Sequence, residues 1–167
     1  MARSDMVLKV TGQRSGAVLG EVDGRDFEGW IAVVDWSWGL SAPSAVPAAG
    51  RQRAGQVRFE DLTVVKQVDS ASTALMSMMA TNEIMSTAEL VVMRAGGVDF
   101  VRTLTVKMKE ARLTSYSVET SRNADGAPTV TERIAFTFTG VQVDYTPQTA
   151  VGGRAAASSF SQDLRQV

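Results

Sequence analysis

The sequence predicts a mainly β fold, an antiparallel barrel or near-barrel that carries one short α-helix. Three observations predict it. Most of the chain alternates apolar and polar side chains with a period of two, the spacing of a strand with one face against a core. Short glycine-containing turns, Gly96-Gly97 and Asp125-Gly126 among them, separate the runs and join them antiparallel. After Asp69 the period changes to that of a helix with one buried stripe. Seven or so strands, this helix and two places where the alternation changes phase describe a strongly bent sheet structure.

Met6, Leu8 and Val10 alternate with Val7 and Lys9 in a first strand that ends at Gly12, and Gln13 to Gly16 is a turn. Gly20 and Gly24 break the next stretch, Val18 to Asp26, into an irregular approach with room for a very short strand. Trp30 to Leu40 is the expected central strand. Trp30, Ala32, Val34, Trp36, Trp38 and Leu40 form one row, and Ile31, Val33, Asp35, Ser37 and Gly39 form the other. All three tryptophans share a row, and each ring can bury roughly 150–250 Å², so the interior is expected to assemble over this element. The row with Asp35 and Ser37 must then meet water, a neighbouring subunit or a ligand.

Ser41 to Gly55 loses all periodicity and contains Pro43, Pro47, Gly50, Gly55, several alanines and the pair Arg51 and Arg53. It reads as a long exposed loop, either a floppy hairpin tip or a projecting arm that orders on a partner. Val57 and Phe59 resume the alternation, and Leu62 and Val64 continue it in the other phase, which predicts a bulge near Glu60 and Asp61 and a strand end at Lys66 or Gln67. Ala71, Ala74, Leu75, Met78 and Met79 then mark the helix stripe, with Asp69 or Ser70 as N-cap. The opposite side, Ser72, Thr73, Ser77 and Thr81, is small and uncharged, so the helix is expected to pack near something or line a space. The methionine pair reads as core filling.

Leu90–Ala95 and Val98–Lys109 read as a hairpin, with Phe100, Leu104, Val106 and Met108 on one face. Ala111 to Thr120 is a further strand after a break near Lys109 and Glu110. Val130 to Tyr145 is the expected last strand: Val130, Glu132, Ile134, Phe136 and Phe138 alternate in one phase, Val141, Val143 and Tyr145 in the other, with Gly140 at a second bulge. Pro147 closes a domain spanning 1–147. Residues 148–167, rich in Gly, Ala, Ser and Gln, read as a mobile tail able to dock on another chain.

A chain of 167 residues suits one domain, and a domain near this size buries about 68–70% of its unfolded surface. With 44% apolar and 21% charged residues it has the composition of a folded protein, and no apolar run is long enough to span a bilayer. The opening residues alternate like a strand, so no conventional secretory signal is expected and the chain should begin in the cytoplasm. A net charge of −1 gives no general attraction to nucleic acid. Cysteine and histidine are both absent, which excludes disulfides, thiol nucleophiles, the usual zinc sets and every Ser-His-Asp or Cys-His arrangement. No spacing argues for a carboxylate or lysine site, so neither catalysis nor a cofactor or metal is expected. Gly12, Gly16, Gly20 and Gly24 lack a phosphate-loop lysine and read as turns. Asp23, Asp26 and Glu28 lack the glycine and terminal glutamate of a calcium loop. Arg51, Arg53 and Arg58 lack an interleaved aromatic platform and suit acidic residues on a partner better than phosphates.

Four motifs in register resemble one family. They are Asp35-Trp36-Ser37-Trp38-Gly39; Phe59-Glu60-Asp61-Leu62-Thr63 leading to Lys66 and Asp69 before the helix; Arg94-Ala95-Gly96-Gly97; and Val141-Gln142-Val143-Asp144-Tyr145-Thr146-Pro147. Together they resemble the Hcp family, the haemolysin-coregulated tube proteins of bacterial type VI secretion, over most of positions 5 to 147. The resemblance implies an antiparallel barrel of two sheets with one helix at its side, related to phage tail tube proteins. It further implies six copies in a ring, rings stacked into a hollow tube, a surrounding sheath, a terminal spike, and effector proteins carried in the lumen. Such a protein is assembled in the cytoplasm and expelled without a signal peptide. By the family's pattern Asp35 and Ser37 face the lumen, and the loop with Ser41, Pro43, Ser44, Val46, Pro47, Arg51 and Arg53 reaches the adjacent ring. The rival readings are the tail tube of a phage-like or extracellular contractile injection particle and, from a different class, a small-ligand-binding barrel or hydrolase.

Overall fold

A computed structural model describes residues 5–42, 56–96, 99–147 and 156–166. In chain order the elements are β1 (Met6–Gly12), β2 (Gly16–Val18), β3 (Ile31–Ala32), β4 (Asp35–Ser37), β5 (Leu40–Ser41), β6 (Arg58–Phe59), β7 (Leu62–Gln67), α1 (Ser72–Ala80), β8 (Met85–Gly96), β9 (Asp99–Lys109), β10 (Arg112–Arg122), β11 (Pro128–Thr137), β12 (Gly140–Tyr145), β13 (Ser158–Asp163) and a closing 3-10 turn, Leu164–Gln166. The expected turn residue Gly97, the side chain of Phe100 and the loop positions 43–55 lie outside the described residues.

The expected mainly β architecture with one short helix is what the chain adopts. A larger sheet runs β13-β12-β9-β8-β1-β2, with β3 also on β1; a smaller one runs β10-β11-β7-β4; β5 and β6 form a separate ribbon. The core lies between the two large sheets. Leu8, Val10, Leu90, Val106, Met108 and Val141 enter it from the larger sheet, Leu62, Val64, Leu113, Ile134 and Phe136 from the smaller, and Leu75 and Met78 from α1. Outside β1 and β8, a second cluster of Val7, Val22, Val91 and Met93 is covered by Phe27, Trp30 and Ala32. The segment 19–30 therefore caps the outer face, which is why Val7 and Leu8 are both buried although they point opposite ways. Among the described residues the sheets remain separate ladders and do not seal into one closed barrel. They meet at corners, where Met85 bridges Ala111 and the Thr139 N–H donates to the Lys109 carbonyl at 2.9 Å.

The expected central strand from Trp30 to Leu40 is instead three short strands in three different ladders. β3 pairs with β1, Leu8 opposite Ile31 and Val7 opposite Ala32, so Ile31 enters the core while Ala32 joins the outer cluster. The Val33 N–H then donates to the Met6 carbonyl in the larger sheet, and the next one, from Val34, donates to Val65 in the smaller. Between these two residues the chain crosses from one sheet to the other, as strands do at the corners of packed sheets. Ile31 and Val33 are buried, Val34 and Leu40 are exposed, and only Trp36 and Trp38 of the tryptophan row pack on the main core. The alternation persists through the crossing, but the face it designates does not.

The break at Glu60 and Asp61 falls where expected, between β6 and β7, and β7 ends at Gln67. The phase change at Gly140 is no bulge within one strand: β11 belongs to the smaller sheet and β12 to the larger. Helix α1 buries Leu75 and Met78 from the expected stripe, with Ala74 and Met79 partly buried. Its N-cap is Ala71, not Asp69 or Ser70, and Asp69 Oδ1 instead accepts the Ala71 N–H at 3.0 Å. The helix ends in the paired bonds Asn82 N–H to Met79 O and Glu83 N–H to Met78 O, with Asn82 left-handed at φ 49°, the conformation asparagine tolerates better than most residues. Beyond Pro147, residues 158–163 of the expected tail add β13 to the edge of β12.

Candidate functional site

β4 is short, but its register decides where the candidate residues point. Trp36 lies opposite Val64 and turns into the core, so Asp35, opposite Val65, and Ser37, opposite Thr63, turn out. The same face continues across the sheet. Thr63, Val65 and Gln67 of β7 pair with Ala135, Arg133 and Thr131 of β11, and these with Ser115, Ser117 and Glu119 of β10. Asp35 and Ser37 are exposed and share this face with a surface of small hydroxyls. Asp35 Oδ1 accepts the Trp36 N–H at 2.8 Å. Arg133 flanks Val65 from the other side, roughly 10 Å away by strand spacing, so charges of both signs are interspersed among neutral groups.

Two open edges bound this sheet: among the described residues nothing pairs with the outer side of β4 or of β10. Unpaired strand edges present a row of free backbone donors and acceptors to any further strand. Ser41 lies elsewhere, exposed on the β5–β6 ribbon opposite Arg58. Trp38 props that ribbon, donating its indole N–H to the Glu60 carbonyl at 2.9 Å and lying 6.4 Å from the Phe59 ring and 6.2 Å from Phe138. Pro43, Ser44, Val46, Pro47, Arg51 and Arg53 lie outside the described residues.

Beneath the inner side of the same sheet lies a polar network that sequence reasoning missed. Lys66 of β7 and Glu132 of β11 are directly opposite in register, fully buried and ion-paired. Lys66 Nζ also contacts Asp69 Oδ1 at 2.8 Å and donates to Ser72 Oγ at 3.1 Å. Ser72 donates to Glu132 Oε2 at 3.0 Å, and the Tyr116 hydroxyl of β10 donates to the other carboxylate oxygen. Burial pushes the Glu132 carboxyl up, but the hydrogen bonds from Lys66, Tyr116 and Ser72 outweigh it and hold the group below the usual carboxylate range. Burial, followed by the bond to Glu132, pushes the Tyr116 phenol well up. A signal was present: Lys66 and Glu132 occupy the apolar phase of strands that are otherwise Leu62-Val64 and Ile134-Phe136, with opposite charges. Ser72, expected on the helix's uncharged outer side, is thus buried, while Thr73, Met76, Ser77, Ala80 and Thr81 form the exposed side of α1.

A groove of about 480 Å³ crosses β8, β9, β12 and β13 on the larger sheet, with Glu89, Lys107, Lys109, Gln142 and Asp163 around the side-chain-free Gly140. Among the described residues no group of His, Cys, Asp or Glu could hold a metal ion, and no helix is long and apolar enough to cross a membrane.

Comparison with known proteins gives a single answer. The family profile described as Type VI secretion system effector, Hcp, matches residues 7–145. Protein hcp1 of Pseudomonas aeruginosa is 33% identical over 150 residues, covering 90% of this chain and 88% of that protein. Among solved structures, one titled as a type six secretion system protein superimposes with a TM-score of 0.80 at 22% identity, over 96% of this chain and 97% of its own. Hcp1 from Salmonella typhimurium does so with a TM-score of 0.70 at 20% identity, over 96% and 95%. These two likenesses concern the fold.

Proposed function

This chain belongs to the Hcp family of type VI secretion proteins, and we propose that it acts as the tube subunit, six copies closing into a ring and rings stacking into a hollow conduit for effector proteins. The observation that carries this reading is the smaller sheet. One face packs on the core, except toward Val118 and Val130, and the other carries small hydroxyls with Asp35, Arg133 and Glu119 among them, while both edges, β4 and β10, are open among the described residues. A sheet open at both ends can be continued by copies of itself, and the face so extended would present Asp35, Ser37, Thr63 and Ser117 to the interior. A lining of short hydroxyls offers little to adhere to a passing chain. The uncharged exposed side of α1 suits burial against a neighbour. In this reading the arm from Ser41 through Arg53 reaches the next ring, a sheath and a spike complete the apparatus, and the tube is assembled in the cytoplasm before expulsion.

Sedimentation velocity and electron micrographs of the purified protein test the proposal. Rings several times the mass of one chain are expected. A single-chain species throughout the micromolar range would overturn it. Ser37→Gln should leave both the melting temperature and the ring intact, changing stability by no more than about 0.5 kcal/mol, and alter only the retention of cargo.

A further inference from the structure

The network beneath α1 lies on the inner side of the smaller sheet, away from the outward face that carries Asp35 and Ser37. It gathers Lys66 from β7, Asp69 from the connection after it, Ser72 from α1, Tyr116 from β10 and Glu132 from β11, and so lies where the helix meets the smaller sheet. Few other devices hold the start of that helix. Its N-cap is an alanine with no side-chain acceptor, and neither an acidic first turn nor a basic last turn complements its dipole. A helix of nine residues is marginal on its own. Ala71, Leu75 and Met78, with Ala74 and Met79 beside them, supply apolar anchorage, and the ionic cluster adds polar anchorage. Glu21 adds one bond from the capping segment, Oε1 accepting the Ser70 N–H at 3.0 Å.

We propose that this cluster is an acid-sensitive latch for α1: protonation of Glu132 strips the buried Lys66 ammonium of its fully buried counter-charge, and the helix leaves the smaller sheet while the strands stay paired. Removing one member of a buried ion pair is strongly destabilising, and freeing the segment that covers Lys66 lets water reach it. The sheet ladders do not depend on the cluster, because β7 and β11 are joined by backbone bonds along their whole register. The sign follows from Glu132, whose carboxyl is held below its ordinary 4.5. Its contribution is complete above that value and is lost as pH falls through the lower folded one, so release occurs on the acid side of 4.5. Tyr116 stays protonated there and remains a donor.

Hydrogen exchange of the full chain, followed by mass spectrometry and expressed as protection factors between pH about 7 and about 3.5, tests the latch. Amides of residues 73–81 should lose protection about 10-fold or more in acid while those of β7, β9 and β11 keep theirs. Replacing the pair with apolar groups, Lys66→Met with Glu132→Leu, should leave the helix protected across the whole range. Loss of protection in helix and sheets together, a helix still protected at the acid end, or an apolar variant with the parent's pH dependence would each overturn the proposal. Should the variant fail to fold, the parent profile decides alone. Sedimentation at each pH separates the latch from ring dissociation: loss of helix protection that only tracks loss of the ring would overturn the proposal.

Discussion

Trp30 and Trp36 belong to one unbroken apolar alternation, yet they pack on opposite sides of the larger sheet. Trp30 lies in the outer cluster with Val7, Val22, Val91 and Met93, its ring 5.1 Å from Phe27 and edge-on to it, with Lys9 Nζ 5.5 Å above the indole. Trp36 turns inward opposite Val64 and packs on the main core. The crossing at Val33 and Val34 separates them.

Truncating the two rings should therefore have unequal effects. Trp36→Ala opens a cavity beside the core of both sheets and should cost about 3 kcal/mol. Trp30→Ala loosens only the outer cap, for about 1–2 kcal/mol. Urea denaturation midpoints measure both, and equal losses would contradict two separate clusters.

Gly20 should tolerate no side chain. A Cβ there would lie 2.4 Å from the Trp30 carbonyl oxygen and 2.6 Å from Ile31 Cα, both backbone atoms that cannot swing aside. Gly20→Ala should cost about 1–3 kcal/mol as overpacking and detach the cap from β3. Thermal melting with near-ultraviolet circular dichroism would record it; an alanine variant melting like the parent would show that the approach is looser than this.

Glu83 ties the turn after β1 to the end of α1. Its Oε1 accepts the Arg14 N–H at 2.7 Å, the Ser15 N–H at 2.8 Å and the Ser15 hydroxyl at 3.1 Å. The Ser15 and Arg14 amides hold its carboxyl below the ordinary 4.5, so the tie is intact above that value and is lost as pH falls through the lower folded one. Amide signals of Arg14 and Ser15 followed by NMR should open in acid before their neighbours, and Glu83→Gln should abolish that pH dependence. A glutamine variant with an unchanged acid transition would assign the transition to another group.

Much of this fold is legible along the chain because backbone geometry sets local periodicity. The period of two marks strands and the change after Asp69 marks α1, and the glycine turns make the strands antiparallel. The four motifs identify the family. The sides taken by Trp36 and, opposite it, by Asp35 and Ser37 follow from the local alternation because β4 is short enough for one register to govern it.

What no window of sequence contains is the point at which an alternating chain changes sheet, since alternation continues across the crossing. The successive bonds from Val33 to Met6 and from Val34 to Val65 settle it, and with it the sides taken by Trp30 and Ile31. The same holds for β12, and for Lys66 and Glu132, which read as isolated exceptions to two apolar rows until β7 and β11 lie side by side. Local pattern establishes that a residue has a face, whereas partners remote in the chain establish what the face meets, because only the register between strands sets one row of side chains against another.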